Sequence, residues 1–401
     1  MIDVLSFINE YKIIILFYLF ILGFIIVKWK KIDVQGKIIF LYRTKWGLSW
    51  MDHVSSKFRE WIILAGYVGV GVGYAGLLVI SFVLVKNLID LVLKPAAISG
   101  VSLVLPGIKV PGMGVLPFWY WLIAIFVIAI VHEFSHGVVA RAHNIPVKNT
   151  GIVFFGPVIG AFVEPDEKKL VKEKDIHQYS VLAAGSFSNI LLALVALLLL
   201  NFIFMPLQQT MVEPVGFTFD SYVEGEYPFA KAGIIPGTLI TGINGQKAKD
   251  FVEFNEEFSC VNPGEEVRLM TKKNVLTEEK SYTLALTASP DNPKRAFMGI
   301  KEIRNEVEVK EKYSQGVWNI VYIIISWIAG FLRWLFLLSF GIGLFNLLPL
   351  PIVDGGRMLQ TFLHKKNGVE SGEKRYRQIS MFFLLVLLLN LFYPLLAKLF
   401  I

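Results

Sequence analysis

Six stretches of this 401-residue chain are long and apolar enough to cross a bilayer, at about 12–28, 61–85, 117–142, 178–205, 317–347 and 378–399. A hydrocarbon core about 30 Å thick needs roughly 20 mostly apolar residues of helix. No water is available there for backbone N–H and C=O groups, so spanning segments must bond internally. The expected fold is therefore a polytopic α-helical membrane protein. Composition agrees, with 55% of residues hydrophobic and 18% charged, against about 25% charged in soluble domains. So much apolar surface excludes a disordered chain.

The formal net charge of +7 does not point to nucleic acid, because the cations gather at the ends of the apolar runs. That distribution follows the positive-inside rule. The segment 28–60 holds Lys28, Lys30, Lys31, Lys37, Arg43, Lys45, Lys57 and Arg59 against Asp33, Asp52 and Glu60. It is expected in the cytoplasm, with the N-terminus outside. Alternation then puts Arg141 and Lys148 inside, 206–316 outside, and the basic loop after 356 inside. The first run ends in Lys28-Trp29-Lys30-Lys31 with no small-residue cleavage site, and reads as an anchor rather than a signal peptide. Cys260, the single cysteine, cannot form an internal disulfide.

Two segments break the helical pattern. Residues 206–316 are polar, with a β-type run at Thr238–Ile243 and turn signals at Pro236-Gly237 and Asn244-Gly245. The stretch 229–246 resembles the core signature of a PDZ domain of the membrane-protease type. That resemblance implies an α+β domain able to capture an extended peptide or C-terminus by strand addition. The segment 150–165 is apolar but too short to span, and Gly156-Pro157 and Gly160 interrupt it. A re-entrant β-hairpin is expected there, tolerated where protein or a wet cavity satisfies its backbone.

The chemistry concentrates at His132-Glu133-Phe134-Ser135-His136, at the end of the third run. Histidines at i and i+4 project from one helical face. They can share a tetrahedral zinc, with Glu133 as general base toward the attacking water. Ionisable groups in a membrane helix are costly and mark function. A third protein ligand is needed. Val139 and Ala142 stand where an elongated metzincin motif needs glycine and histidine. Glu164, Glu173 and Asp354 are the candidates. Asp354 is preferred, because Pro349, Pro351 and Gly355-Gly356 would unwind the helix around it and free it to turn inward. By contrast, Gly71-x-Gly73-x-x-Gly76 matches a dinucleotide fingerprint without the strand that motif requires. Gly69 and Gly73 fit a helix-packing face instead. His53, His143, His177 and His364 are expected to be solvated, and Trp29, Trp61, Trp119, Tyr120 and Trp121 to form an interfacial belt.

His-Glu-Phe-Ser-His in a membrane helix, followed by Asn346-x-x-Pro349-x-Pro351-x-x-Asp354-Gly355-Gly356, resembles the site-two protease family of intramembrane zinc metalloproteases. The similarity covers about 117–356, and segments 160–165 and 105–111 are similar to its archaeal and eukaryotic branch. The resemblance implies His132, His136 and Asp354 as ligands of one zinc per chain, and Glu133 as the base. It also implies that Asn189 faces the active site, although many members carry proline where Ser186 stands. Asn346 would donate to the scissile carbonyl or cap the broken helix.

The expected organisation is a two-span region over 1–116, protease core over 117–205, a PDZ-like domain over 206–316, core again over 317–356, and a basic loop with the last span over 357–401. The expected activity is hydrolysis of a peptide bond within or near a transmembrane segment of a membrane-protein substrate. Alternatives are a zinc protease trimming lipidated protein tails, a zinc transporter and an inactive PDZ scaffold. The expected location is the cell membrane, with the active site toward the cytoplasm and the PDZ-like domain outside.

Overall fold

The computed structural model of the protein describes residues 4–36, 39–93, 104–107, 109–110, 114–155, 158–272 and 279–397. The chain opens with helix α1 (Val4–Lys28), a hairpin of β1 (Ile32–Gln35) and β2 (Ile39–Thr44), a short helix α2 (Leu48–Lys57) and a 35-residue helix α3 (Arg59–Leu93). Helix α4 (Phe118–Ala142) follows, then β3 (Val147–Phe155), β4 (Val158–Pro165) and helix α5 (Asp175–Leu199). Next come β5 (Val212–Tyr222), β6 (Leu239–Ile243), α6 (Phe251–Phe258), β7 (Glu266–Lys272), β8 (Lys280–Ala285) and β9 (Ile300–Val309). Helices α7 (Gly316–Phe345), α8 (Asp354–Asn367) and α9 (Val369–Ala397) complete it.

Among the described residues, five helices are long and apolar enough to cross a membrane: Arg59–Leu93, Phe118–Ala142, Asp175–Met211, Gly316–Phe345 and Val369–Tyr393. The first expected run lies within α1, outside those five. One expectation needs correction. The basic stretch after 356 is not a loop but α8 and the start of α9, turning at Gly368 with φ of +77°. Its polar groups find partners within this helix pair: Gln360 and His364 of α8 and Arg377 of α9 are all bonded to Glu373 of α9.

The chain divides into two compact units, 1–200 with 330–401 and 201–329. In the first, α3 packs on α5 through the expected glycine face. A Cβ on Gly69 would stand 3.3 Å from the Phe187 ring, and one on Gly73 would stand 3.2 Å from Ala183. The strands form an antiparallel sheet in the order β1-β2-β3-β4, with Tyr42 opposite Ile152 and Ile152 opposite Ala161. The apolar interruption at 150–165 is thus a β-hairpin, although its turn at Gly156-Pro157 lies outside the described residues, as do Ile108 and Pro111 of the 105–111 segment. Met51 of α2, Val138 and Ala140 of α4, Ile145 and Val181 form a shared core.

The second unit is a sheet in the order β8-β7-β6-β5-β9, closed by α6 over Phe217, Phe219, Phe229, Ile240, Phe254 and Leu269. Its turn residues act as expected. Asn244 (φ +51°) and Gly245 (φ +88°) make the two-residue link out of β6, since both positions need a left-handed backbone. Asp250 caps α6 by accepting from Glu253 N–H. Strand β9 pairs with β5 on one side and ends the sheet on the other.

Two further expectations fail. His143 is buried at 6% exposure and stacks on His177 with ring centroids 4.2 Å apart. Trp121 is buried at 8% rather than lying in a belt, while Trp29, Trp61 and Trp119 are exposed. In both cases helix packing turned a residue inward that position along the chain placed near an interface.

Candidate metal centre

Helix α4 brings His132 and His136 onto one face, with Nε2 atoms 3.2 Å apart. Asp354, at the start of α8, comes from the far end of the chain to meet them. Its Oδ2 lies 3.2 Å from His132 Nε2 and 3.4 Å from His136 Nε2. The approach depends on how α7 ends. The helix stops at Phe345, and residues 346–353 turn back so that Gly355 N–H donates to the Asn346 carbonyl at 2.8 Å. This fold-back leaves no room for side chains. A Cβ on Gly355 would lie 2.1 Å from Leu347 O, and one on Gly356 1.7 Å from Leu350 O.

These three groups are the metal-capable cluster found among the described residues, and the donor set fits zinc. Bonds of about 2.0–2.1 Å in tetrahedral geometry put ligand atoms about 3.3 Å apart, as the three separations here do. Tautomers agree as well. His136 Nδ1 lies 2.6 Å from Val181 O. A carbonyl only accepts, so Nδ1 carries the proton and Nε2 turns a lone pair toward the other two donors. Converging lone pairs and a carboxylate call for a cation between them.

The competing carboxylates are engaged elsewhere. Glu164 accepts from Arg43 Nε and Asn149 Nδ2, both at 2.8 Å, in a bridge across the sheet. Glu173 pairs with His177 at 3.0 Å.

Glu133 stands beside the triad, on the same helix as the two histidines, and its Oε2 accepts the backbone N–H of Val163 at 3.0 Å. Strand β4 is the edge of its sheet, with β3 on its other side. Outward-facing residues alternate along an antiparallel strand. Ala161 and Ile159 therefore present N–H and C=O to the same outer side as Val163. The edge runs directly up to Glu133.

Helix α5 contributes no donor, yet it touches all three. Besides Val181 O on His136, the Asn189 amide lies 3.0 Å from His132 Nδ1, and Ser186 Oγ donates to Asp354 Oδ2 at 3.3 Å. Between them Gly185 is packed so closely that a Cβ would sit 2.4 Å from His136 Nε2 and 2.5 Å from His132 Nε2. Asn189 has no exposed surface, and Ser339 Oγ donates to its carbonyl at 2.7 Å. It faces the site through His132. Asn346 enters the structure through its backbone carbonyl, as the closing bond of the fold-back.

Sequence reading missed Val163, Val181 and Gly185. Two act through backbone atoms, which leave no residue signature. The run Ala184-Gly185-Ser186 is visible as a small-residue step in an apolar helix, but nothing local says what it packs against.

The profile of peptidase family M50 matches residues 120–391. The chain is 23% identical to an uncharacterized protein of Methanocaldococcus jannaschii over 335 residues, which is 82% of this chain and 79% of that one. It is also similar to a solved PDZ domain of an SdrC-like protein from Listeria monocytogenes. That match has 24% identity and a TM-score of 0.19, covering 22% of this chain and 86% of the other.

Proposed function

The chain belongs to peptidase family M50, and on that premise we propose that it is an intramembrane zinc metalloprotease cutting a peptide bond within or near a transmembrane segment of another membrane protein. The observation that carries this reading is the convergence of His132, His136 and Asp354 beside the Glu133 carboxylate.

His132, His136 and Asp354 would hold the metal, and Asn189 would orient His132. Zinc ligation through Nε2 leaves the proton of His132 on Nδ1, so the amide of Asn189 presents its oxygen there. When bound, zinc supplies the Lewis acidity that polarises a carbonyl and makes water acidic near neutral pH. Glu133 takes a proton from the attacking water while Val163 N–H steadies its other oxygen. The water oxygen bonds to the peptide carbon, the C–N bond breaks, and Glu133 returns the proton to the departing nitrogen. The products are a carboxylate and an amine.

A helical substrate hides its carbonyls in hydrogen bonds and must unwind to be cut. The outer edge of β4 at Ile159 and Ala161 suits an extended stretch by strand addition. The ladder stops where Glu133 takes the Val163 N–H, so the residue after the last pair would arrive at the base.

The second unit carries a groove that fits a peptide. A cavity of about 360 Å³ lies between α6 and the free edge of β9, lined by Phe251, Phe258, Arg295, Phe297, Met298 and Ile300. An apolar C-terminal residue would fill it, with Arg295 near the carboxylate. The basic flanks at 28–60 and after 356 support a cytoplasmic active site and a peptide-binding unit outside.

A protease trimming lipidated tails would have no use for this inserted groove, and a transporter no use for Glu133 beside its ligands. An inactive scaffold is the reading that activity must decide. The test is cleavage of a panel of single-span proteins in proteoliposomes, with products mapped by mass spectrometry. Cuts inside the spans by wild type, absent in Glu133→Gln, are expected. Equal product from both proteins would overturn the proposal.

A further inference from the structure

Serines within membrane helices ordinarily return their hydroxyl to their own backbone. Two near this site do so. Ser135 donates to Val131 O at 2.7 Å and Ser180 to Ile176 O at 2.8 Å. Ser188 donates to Gly185 O at 2.8 Å and also reaches Val131 O of α4 at 3.4 Å. Ser186 differs. It is completely buried, and its hydroxyl reaches 168 residues along the chain to Asp354 Oδ2. That oxygen is the one facing both imidazoles.

Resting on the metal reading above, we propose that Ser186 is a positioning residue for Asp354, holding its carboxylate in the rotation that offers one oxygen to the metal. The carboxylate torsion of aspartate is broad and roughly two-fold, so the position of Cβ alone does not decide which oxygen points inward or how many bind. The fold-back at Gly355 and Gly356 fixes the backbone of Asp354, and the Ser186 hydroxyl fixes what remains free. Ser186 is itself held at depth, because Gly343 of α7 packs against its carbonyl with no room to spare: a Cβ there would stand 3.3 Å from Ser186 O. The rest of the cradle divides the same way, with Val181 O on His136 and Asn189 on His132. Each donor group then has its own partner on α5, and Ser186 is the one serving the carboxylate.

The test uses full-length protein in detergent, stripped of metal and titrated with cobalt(II) against a competing chelator, with the visible d–d absorption as a second readout. Ser186→Ala should bind cobalt about 10- to 100-fold more weakly, the usual cost of losing an outer partner of a metal ligand. Its band should change in position or intensity as the freed carboxylate adopts another binding mode. Ser186→Thr, which keeps the hydroxyl, should restore both. Ser180→Ala, which removes only the bond to the Ile176 carbonyl of its own helix, should match wild type. Binding by Ser186→Ala within about threefold of wild type, with a superimposable spectrum, would overturn the inference while leaving the metal site standing. Failure of the wild type itself to bind cobalt would overturn the metal reading, and this inference with it.

Discussion

The backbone N–H of Val163 donates to Glu133 Oε2 at 3.0 Å, so the edge strand of a sheet and the proposed base on a helix are joined by one hydrogen bond. The contact makes the edge proposed to take substrate and the carboxylate proposed as base a single geometric unit. It also leaves the second carboxylate oxygen to work on water.

Glu133→Gln keeps an oxygen for Val163 but cannot take a proton. Cleavage should fall by about 100- to 10,000-fold, the range for loss of a general base. Zinc content should stay at the wild-type level. Rate and metal stoichiometry measured on the same preparation check both halves.

Asp354→Ala should lose most of its zinc, because two imidazoles remain where three donors converge. Glu164→Ala should keep it, since Glu164 is bound to Arg43 and Asn149 instead. The latter variant should lose about 1 kcal/mol or less of stability, as its ion pair is partly exposed. Metal analysis and thermal unfolding of both proteins separate ligand from sheet bridge.

Gly185→Ala should abolish metal binding, because its new methyl would lie within 2.5 Å of both imidazole Nε2 atoms. Gly71→Ala, in a position with nothing within 4 Å, should be neutral or stabilising by about 0.5–1 kcal/mol, as alanine is favoured over glycine in helices. Zinc content and melting temperature distinguish the two. A neutral Gly71→Ala would also retire the dinucleotide motif that 71–76 imitates.

Burial, with His177 stacked alongside, lowers the pKa of His143 from 6.5 to about 4. The unfolded chain therefore binds a proton that the folded one refuses between those values. The stability from this group is complete above about pH 6.5 and is lost as pH falls toward 4. Melting temperature should drop across that window, and His143→Phe, which keeps a ring but no titration, should flatten the drop.

The arrangement of apolar runs, the paired histidines with their glutamate, and the Asp-Gly-Gly segment were legible because each has a local physical signature. Periodicity sets which residues share a helix face, and proline with glycine marks where a helix must break. The basic stretch after 356 misled because charge argues for solvent but not against helix, and Gln360 and His364 of α8 with Arg377 of α9 satisfy Glu373 within the helix pair. His143 and Trp121 misled for the opposite reason, since their burial depends on neighbours far away in the chain.

The sequence by itself determined that the chain is a membrane helix protein and that His132, Glu133 and His136 share one helix face. Both follow from hydropathy and from the 3.6-residue turn, which act within a few residues. Only the tertiary structure decided that Asp354 completes the triangle while Glu164 does not, and that Gly185, Val181, Ser186 and Asn189 of one ligand-free helix stand against it. Those relations join residues up to 222 positions apart, and the distance between such residues is set by how the helices pack.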